Sequence, residues 1–151
     1  MKKLKMFLLS FVLLSTMAPI NTFAASLEKI PSSLSSKQWS VVIGKADGSE
    51  TKNNKSKPNV FNVYSMDIKS IGNEDVNLVR IEAYRVEPNS SPDYELFTID
   101  QGMNKLQPNF HHANFPLSVK ASKLKVVITW TKKSDNGKYP RKYREQFLFE
   151  Q

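Results

Sequence analysis

The sequence predicts an all-β protein, an antiparallel β-sandwich of about seven strands with no disulfide. Three observations lead there. Apolar and polar residues alternate with period two in one run after another. No helix-length stretch keeps apolar residues at spacings of three and four. Clusters of Gly, Asn, Asp, Ser and Pro punctuate the runs at short intervals.

Residues 1–24 read as a secretory signal peptide. Lys2, Lys3 and Lys5 form a basic head, an apolar stretch runs from Met6 to Met17, and Pro19 precedes small residues. That stretch is too short for a membrane span, which takes about 20 apolar residues. Signal peptidase requires small side chains at its −1 and −3 pockets. Thr22-Phe23-Ala24 supplies them, so cleavage is expected after Ala24. No cysteine follows to carry a lipid, and the product is expected to leave the cell with no stable membrane anchor. The lysine-rich head and the Ala-Ala-Ser tail resemble Gram-positive export signals.

Loss of Lys2, Lys3 and Lys5 lowers the formal charge from +8 to +5. What remains suits one domain. Small exported folds often lean on disulfides, and this one, having no cysteine, must rely on burial and strand pairing. Thiol catalysis, cysteine-ligated zinc and a disulfide framework are excluded for the same reason.

Residues 25–36, "ASLEKIPSSLSS", are rich in serine and read as a flexible lead-in, followed by a sandwich over 37–151. "KQWSVVIG" (37–44) is the first strand, with Trp39, Val41 and Ile43 on one face. A long polar loop follows, carrying lysines from Lys45 to Lys57, and its length marks it as mobile or as a contact surface. "VFNVYSMDIKSIG" (60–72) places Tyr64, Met66 and Ile68 on one face and Ser65, Asp67 and Lys69 on the other. Gly72 and Asn73 are able to take positive φ in a turn. "VNLVRIEAYRVE" (76–87) then returns with Val79, Ile81 and Ala83 together, so the two segments read as a hairpin.

"EPNSSPD" is a loop and "YELFTID" (94–100) a short strand. "QGMNKLQPNFHHANFP" has no clear period and reads as loop with a little strand. Leu117, Val119 and Ala121 alternate next, then Leu124, Val126, Ile128 and Trp130 against Lys125, Val127, Thr129 and Thr131. Asn136-Gly137, a strong turn dipeptide, separates a strand ending near Lys132 from one beginning near Lys142. In that last strand Tyr143, Glu145, Phe147 and Phe149 oppose Arg144, Gln146, Leu148 and Glu150.

Strands at this spacing, with a tryptophan on a late one, suit a sandwich of immunoglobulin-like type; a small barrel is the other architecture the pattern allows. The runs "YSMDIKSIGNEDVNLVRIEAYRV", "KLQPNF" and "KLKVVITWTKKSDNGKYPRKYREQFLFE" resemble small immunoglobulin-like modules secreted by Gram-positive bacteria. In those modules a strand, a G-N-x-x-V turn and a second strand precede an L-x-P corner and a terminal hairpin. The resemblance covers about residues 60–150 and brings no catalytic residue with it. The disulfide of antibody domains is missing.

The most conspicuous chemistry is the stretch "NGKYPRKYR". Lys132, Lys133, Lys138, Arg141, Lys142 and Arg144 are expected to gather at one end of the sandwich, with Tyr139 and Tyr143 among them. Lysines there also discourage edge-to-edge pairing. Export argues against nucleic acid as the partner, and Tyr139 precedes Pro140, which suits a kinked loop better than a stacking platform. A cell-wall polyanion or another extracellular protein is the expected partner, with attraction weakened by salt over a Debye length of about 8 Å. The lysine-bearing loop Lys45–Lys57 is expected to join the same surface.

Other chemistries fare worse. His111 and His112 are adjacent and would point to opposite faces of a strand, and no HxH or HExxH spacing exists, so no metal or other cofactor is expected. Asp67, Asp93, Glu95 and Asp100 each have an ordinary reading at a polar face, turn or strand end. No G-x-S-x-G or phosphate-cradling loop occurs, and no enzyme is expected. Tyr84, Tyr139 and Tyr143 are the rings available for a carbohydrate platform, which would need them coplanar and exposed. Two further roles suit a secreted sandwich. One is a protease-inhibitor or immunity-type protein presenting a loop such as "EPNSSPD"; the other is a matrix or fibre subunit formed by strand exchange.

Overall fold

A computed structural model describes residues 21–47, 55–100, 106–135 and 137–151. Nine strands form among them: β1 Asn21–Ser26, β2 Ser32–Ser35, β3 Trp39–Lys45, β4 Phe61–Ser70, β5 Val76–Val86, β6 Tyr94–Asp100, β7 Asn109–Ser118, β8 Lys123–Lys132 and β9 Lys142–Glu150. They make a five-stranded sheet in the order β1-β9-β8-β5-β6 and a four-stranded sheet in the order β2-β3-β4-β7. All pairings are antiparallel except β1 with β9. The β-sandwich expected from the alternating pattern is therefore present, with two more strands than anticipated.

The core lies between the inner faces. Trp39, Val41 and Ile43 of β3 face Leu124, Val126, Ile128 and Trp130 of β8 and Phe147 and Phe149 of β9, and all are buried. Each such side chain contributes roughly 1.5–3 kcal/mol by leaving water. Trp39 meets Trp130 edge-on, with ring centroids 5.7 Å apart at 70°, a geometry worth about 0.5–1.5 kcal/mol beyond area. Two tryptophans thus tie the sheets together near one end.

Several expectations are corrected. β4 and β5 are not a hairpin, since β4 pairs with β3 and β7 while β5 pairs with β6 and β8. Residues 71–75 instead carry the chain from one sheet to the other. No described glycine has positive φ; that conformation is taken by Asn59 and Asn89. Gly72 is needed for another reason: a Cβ there would stand 2.2 Å from Gln38 Oε1.

The expected inner face of β4, Tyr64, Met66 and Ile68, is buried as the alternation predicts, and the register shift beside Tyr64 and Met66 puts its extra residue in β7. Ser65, expected on the outer face, is buried as well, and its Oγ donates to the Lys45 carbonyl at 2.7 Å. In β5 a bulge does shift the expected face. A second shift between Leu78 and Arg80 turns Leu78 inward in place of Val79, ahead of Ile81 and Ala83. An extra residue in one strand reverses the alternation beyond it.

The lead-in is more structured than its composition suggests. Leu27 is buried, Ser32–Ser35 forms β2 against β3, and Ser32 Oγ donates to the Ser26 carbonyl. The aperiodic stretch before Leu117 supplies most of a ten-residue strand, β7, which runs on through Ser118, and Val119 lies exposed in the turn after it.

Candidate functional site

The sandwich has two ends. At one lie the β2–β3 turn, the β4–β5 crossover and the β8–β9 loop, because Val76 pairs with Lys132 and Gln38 accepts from the Ile71 and Gly72 amides at 2.8 and 3.2 Å. At the other lie the β3–β4 and β7–β8 connections. The β8–β9 loop, residues 133–141, forms the tip of the first end; Asn136 of the turn dipeptide lies outside the described residues.

The six expected cations do gather at the tip, but in two electrostatic classes. Lys132 Nζ lies 2.6 Å from Glu74 Oε2, Lys133 Nζ lies 2.7 Å from Asp75 Oδ1, and Arg144 Nη2 lies 3.2 Å from Glu82 Oε2. The hydrogen bond and charge of Glu74 hold the Lys132 ammonium pKa above its ordinary value. Lys138, Arg141 and Lys142 are exposed and form no ion pair among the described residues. The tip therefore presents three uncompensated charges where the sequence offers six cations.

Aromatic packing anchors it. Tyr143 stacks on Trp130 with centroids 5.8 Å apart at 24°, and Lys132 and Arg141 approach the Tyr143 ring at 5.3 and 5.2 Å. Lys138 stands 5.6 Å from the ring of Tyr139, which is 85% exposed. Such cation–ring contacts contribute about 0.5–1 kcal/mol at exposed positions. Beside Tyr143, a shallow cleft opens between Lys37, Glu74, Trp130 and Lys132.

Two expectations fail here. The loop Lys45–Lys57 leaves β3 at the opposite end from the tip, so Lys45, Lys55 and Lys57 do not join it; residues 48–54 lie outside the described residues. The three candidate tyrosines share no platform. Tyr139 belongs to the tip loop, Tyr143 lies against Trp130, and Tyr84 is held on the outer face of the five-stranded sheet.

That outer face carries a network the sequence reading missed. The Tyr84 hydroxyl donates to Glu82 Oε1 at 2.7 Å, Arg144 donates to Glu82 Oε2, and Lys125 lies over the Tyr84 ring while pairing with Asp93. The hydrogen bond to Glu82, helped by burial, pushes the Tyr84 phenol up to about 12. Glu82 and Val127 are buried although they face away from the core, because this cluster covers them. Cross-strand neighbours build it, and a single strand's sequence does not name its neighbours.

The histidines diverge as adjacent strand residues must. His111 faces outward, with Nδ1 2.9 Å from Asp67 Oδ1 and Nε2 3.0 Å from Asp47 Oδ2. The Asp67 hydrogen bond, aided by Asp47, raises its pKa. His112 turns inward and stacks on Phe97 at 4.4 Å; burial, then the His111 charge, lowers its pKa. The two carboxylates lie on opposite sides of the His111 ring, and among the described residues no three acidic or histidine groups converge as a metal cage. Asp93 and Asp100 are engaged by Lys125 and Arg80.

Ala24, the expected last residue of the signal peptide, stands in β1 opposite Leu148 of β9. The neighbouring Phe23 ring stacks on Phe147, with centroids 5.2 Å apart at 21°.

Two facing sheets, a cysteine-free core and a cationic tip define a small all-β sandwich protein. Among the described residues, no helix is long and apolar enough to cross a membrane. A family model described as "YozF-like secreted protein" matches residues 23–151, and the chain belongs to that family of secreted proteins. It is similar to "Uncharacterized protein YozF" of Bacillus subtilis (strain 168), with 32% identity over 146 residues, covering 83% of this chain and 82% of that protein. No solved structure matches it.

Proposed function

We propose that this secreted protein is a non-enzymatic binding module, immunoglobulin-like in kinship, that meets an anionic polymer of the cell envelope with its β8–β9 tip. The observation that supports this reading is the set Lys138, Arg141 and Lys142, which form no ion pair among the described residues, around the 85% exposed Tyr139. Unpaired, solvated cations keep their full attraction for a polyanion, whereas paired ones such as Lys132 lose most of it to their partner. Stacking of Tyr143 on Trp130 fixes the base of the loop, so less ordering is required on contact.

The test is retention of the purified exported protein on isolated cell walls at low and high salt. Retention should fall as salt rises, and fall again in the Lys138→Gln, Arg141→Gln, Lys142→Gln variant. Retention indifferent to both would remove the reading. Capture of one protein from culture supernatant, surviving high salt, would instead favour an extracellular protein partner.

A further inference from the structure

β1 is the one strand that the expected export cut divides. Its six residues pair in parallel with β9, from Asn21 opposite Glu145 to Ser26 opposite Glu150. Hydrolysis of the Ala24–Ala25 peptide bond by signal peptidase would add water across it, leaving a carboxylate on Ala24 and an α-amino group on Ala25. Only Ala25 and Ser26 of the strand would stay with the exported chain. In the folded sheet that bond lies within a paired strand, which is a poor conformation for entry into a protease. A cut at that bond would therefore have to precede folding, and the exported chain would then fold without residues 21–24.

The loss would leave a shaped vacancy. β9 already pairs with β8 on its inner side, so the backbone groups of Glu145 to Leu148 on the other side would face solvent unpaired. Phe23 covers Phe147, a fully buried ring at the margin of the core. Beside Phe23 a cleft of about 540 Å³ reaches Glu145, lined also by Ser35, Ser36 and Lys37. Glu145 is only 8% exposed, yet its Oε2 has no hydrogen-bond partner among the described residues. An unpaired strand edge, an apolar socket and a lone buried acceptor in one line are the elements of a β-augmentation site.

We infer that export processing opens a peptide-binding groove along β9, which takes an extended segment of another extracellular chain lying parallel to β9 with an aromatic side chain over Phe147. The seated leader strand is the template for that ligand. Its register sets the backbone pairing, Phe23 defines the ring-sized pocket, and Glu145 offers an acceptor to a donor side chain at the position opposite it. This groove is separate from the cationic tip and does not depend on the reading given to it.

The experiment uses the exported protein and the synthetic peptide of residues 19–24, PINTFA. Intact-mass measurement of the exported protein should give an N-terminus at Ala25. Titrating the peptide into the isotope-labelled chain 25–151 should shift the backbone amides of Glu145–Leu148 saturably, in the millimolar range or tighter. The same peptide carrying Phe23→Ala should bind about tenfold more weakly, the worth of one buried ring. The chain 21–151 should not respond, because its own strand fills the groove. If 25–151 does not fold, Phe23→Asp in the chain 21–151, which expels the strand without shortening the chain, should gain the binding. An exported chain that retains Phe23, or equal binding by the Phe23→Ala peptide or by the wild-type chain 21–151, would overturn the inference.

Discussion

The two ends of the sandwich both carry lysines, and they differ in what fastens them. At the tip, Tyr143 is stacked on Trp130, which in turn meets Trp39 in the core, so the cations stand on an aromatic column. At the other end the chain leaving β3 is held by the Asp47 amide donating to the Ala113 carbonyl at 3.2 Å and by the His111–Asp47 contact. That second fastening involves a histidine whose pKa the Asp67 and Asp47 carboxylates raise above its ordinary value. Similar composition therefore yields a permanently mounted basic surface at one end and a pH-dependent attachment at the other. Mounting, more than charge count, separates them.

The severest way to break the comparison is Trp130→Ala. It removes the column beneath the tip and should lower stability by about 3–5 kcal/mol, read from the urea midpoint. Polyanion retention should fall with it even though every cation remains. A tip that binds normally on a destabilised fold would show that the column is irrelevant to binding.

A smaller effect sharpens the contrast in charge. The triple change Lys138→Gln, Arg141→Gln, Lys142→Gln should weaken wall retention by about tenfold, from about 0.5 kcal/mol per cation. Lys45→Gln, Lys55→Gln and Lys57→Gln together should change it by less than about twofold, since these residues lie at the far end. Equal losses in the two variants would erase the distinction between the ends.

The smallest effect is in pH. His111 has a raised pKa, so its contribution is complete below the ordinary value of 6.5 and is lost as pH rises through the folded-state value. His112 has a lowered pKa, so the fold loses stability as pH falls below 6.5 and its buried ring is forced to charge. The opposed slopes place the combined optimum near pH 6.5. His111→Asn should flatten the alkaline side by about 0.5 kcal/mol or less, because the pair is half exposed. An alkaline limb unchanged in that variant would dissociate His111 from the fastening.

Much of this was legible beforehand. β6 runs over the stretch read as a strand, β8 and β9 begin and end where the alternation and Asn136-Gly137 put them, and the core residues of β3 and β8 are those of the alternating faces. Alternation reports which residues leave water. It does not report which strand lies alongside, which is why the β4–β5 segment looked like a hairpin and is a crossover. Neither does it survive a bulge, as Leu78 and Val79 show. β1 and β2 are hidden in the sequence for different reasons: four of the six β1 residues read as a leader, and β2 is a four-residue serine-rich strand whose order comes from β3. At the site, the clustering of cations was readable but their neutralisation was not. Glu74, Asp75 and Glu82 reach Lys132, Lys133 and Arg144 only through the sheet.

Gln38 has one more consequence. Its side-chain amide donates to Ser70 Oγ at 2.7 Å and to the Glu74 carbonyl at 3.2 Å, and it fits only because Gly72 lacks a side chain. Glu74 is thereby kept in front of Lys132. An uncharged residue in a turn of the four-stranded sheet thus tunes the surface potential of a loop belonging to the five-stranded one. Enlarging Gly72 would dislodge Gln38 and unmask a fourth cation without altering any charged residue.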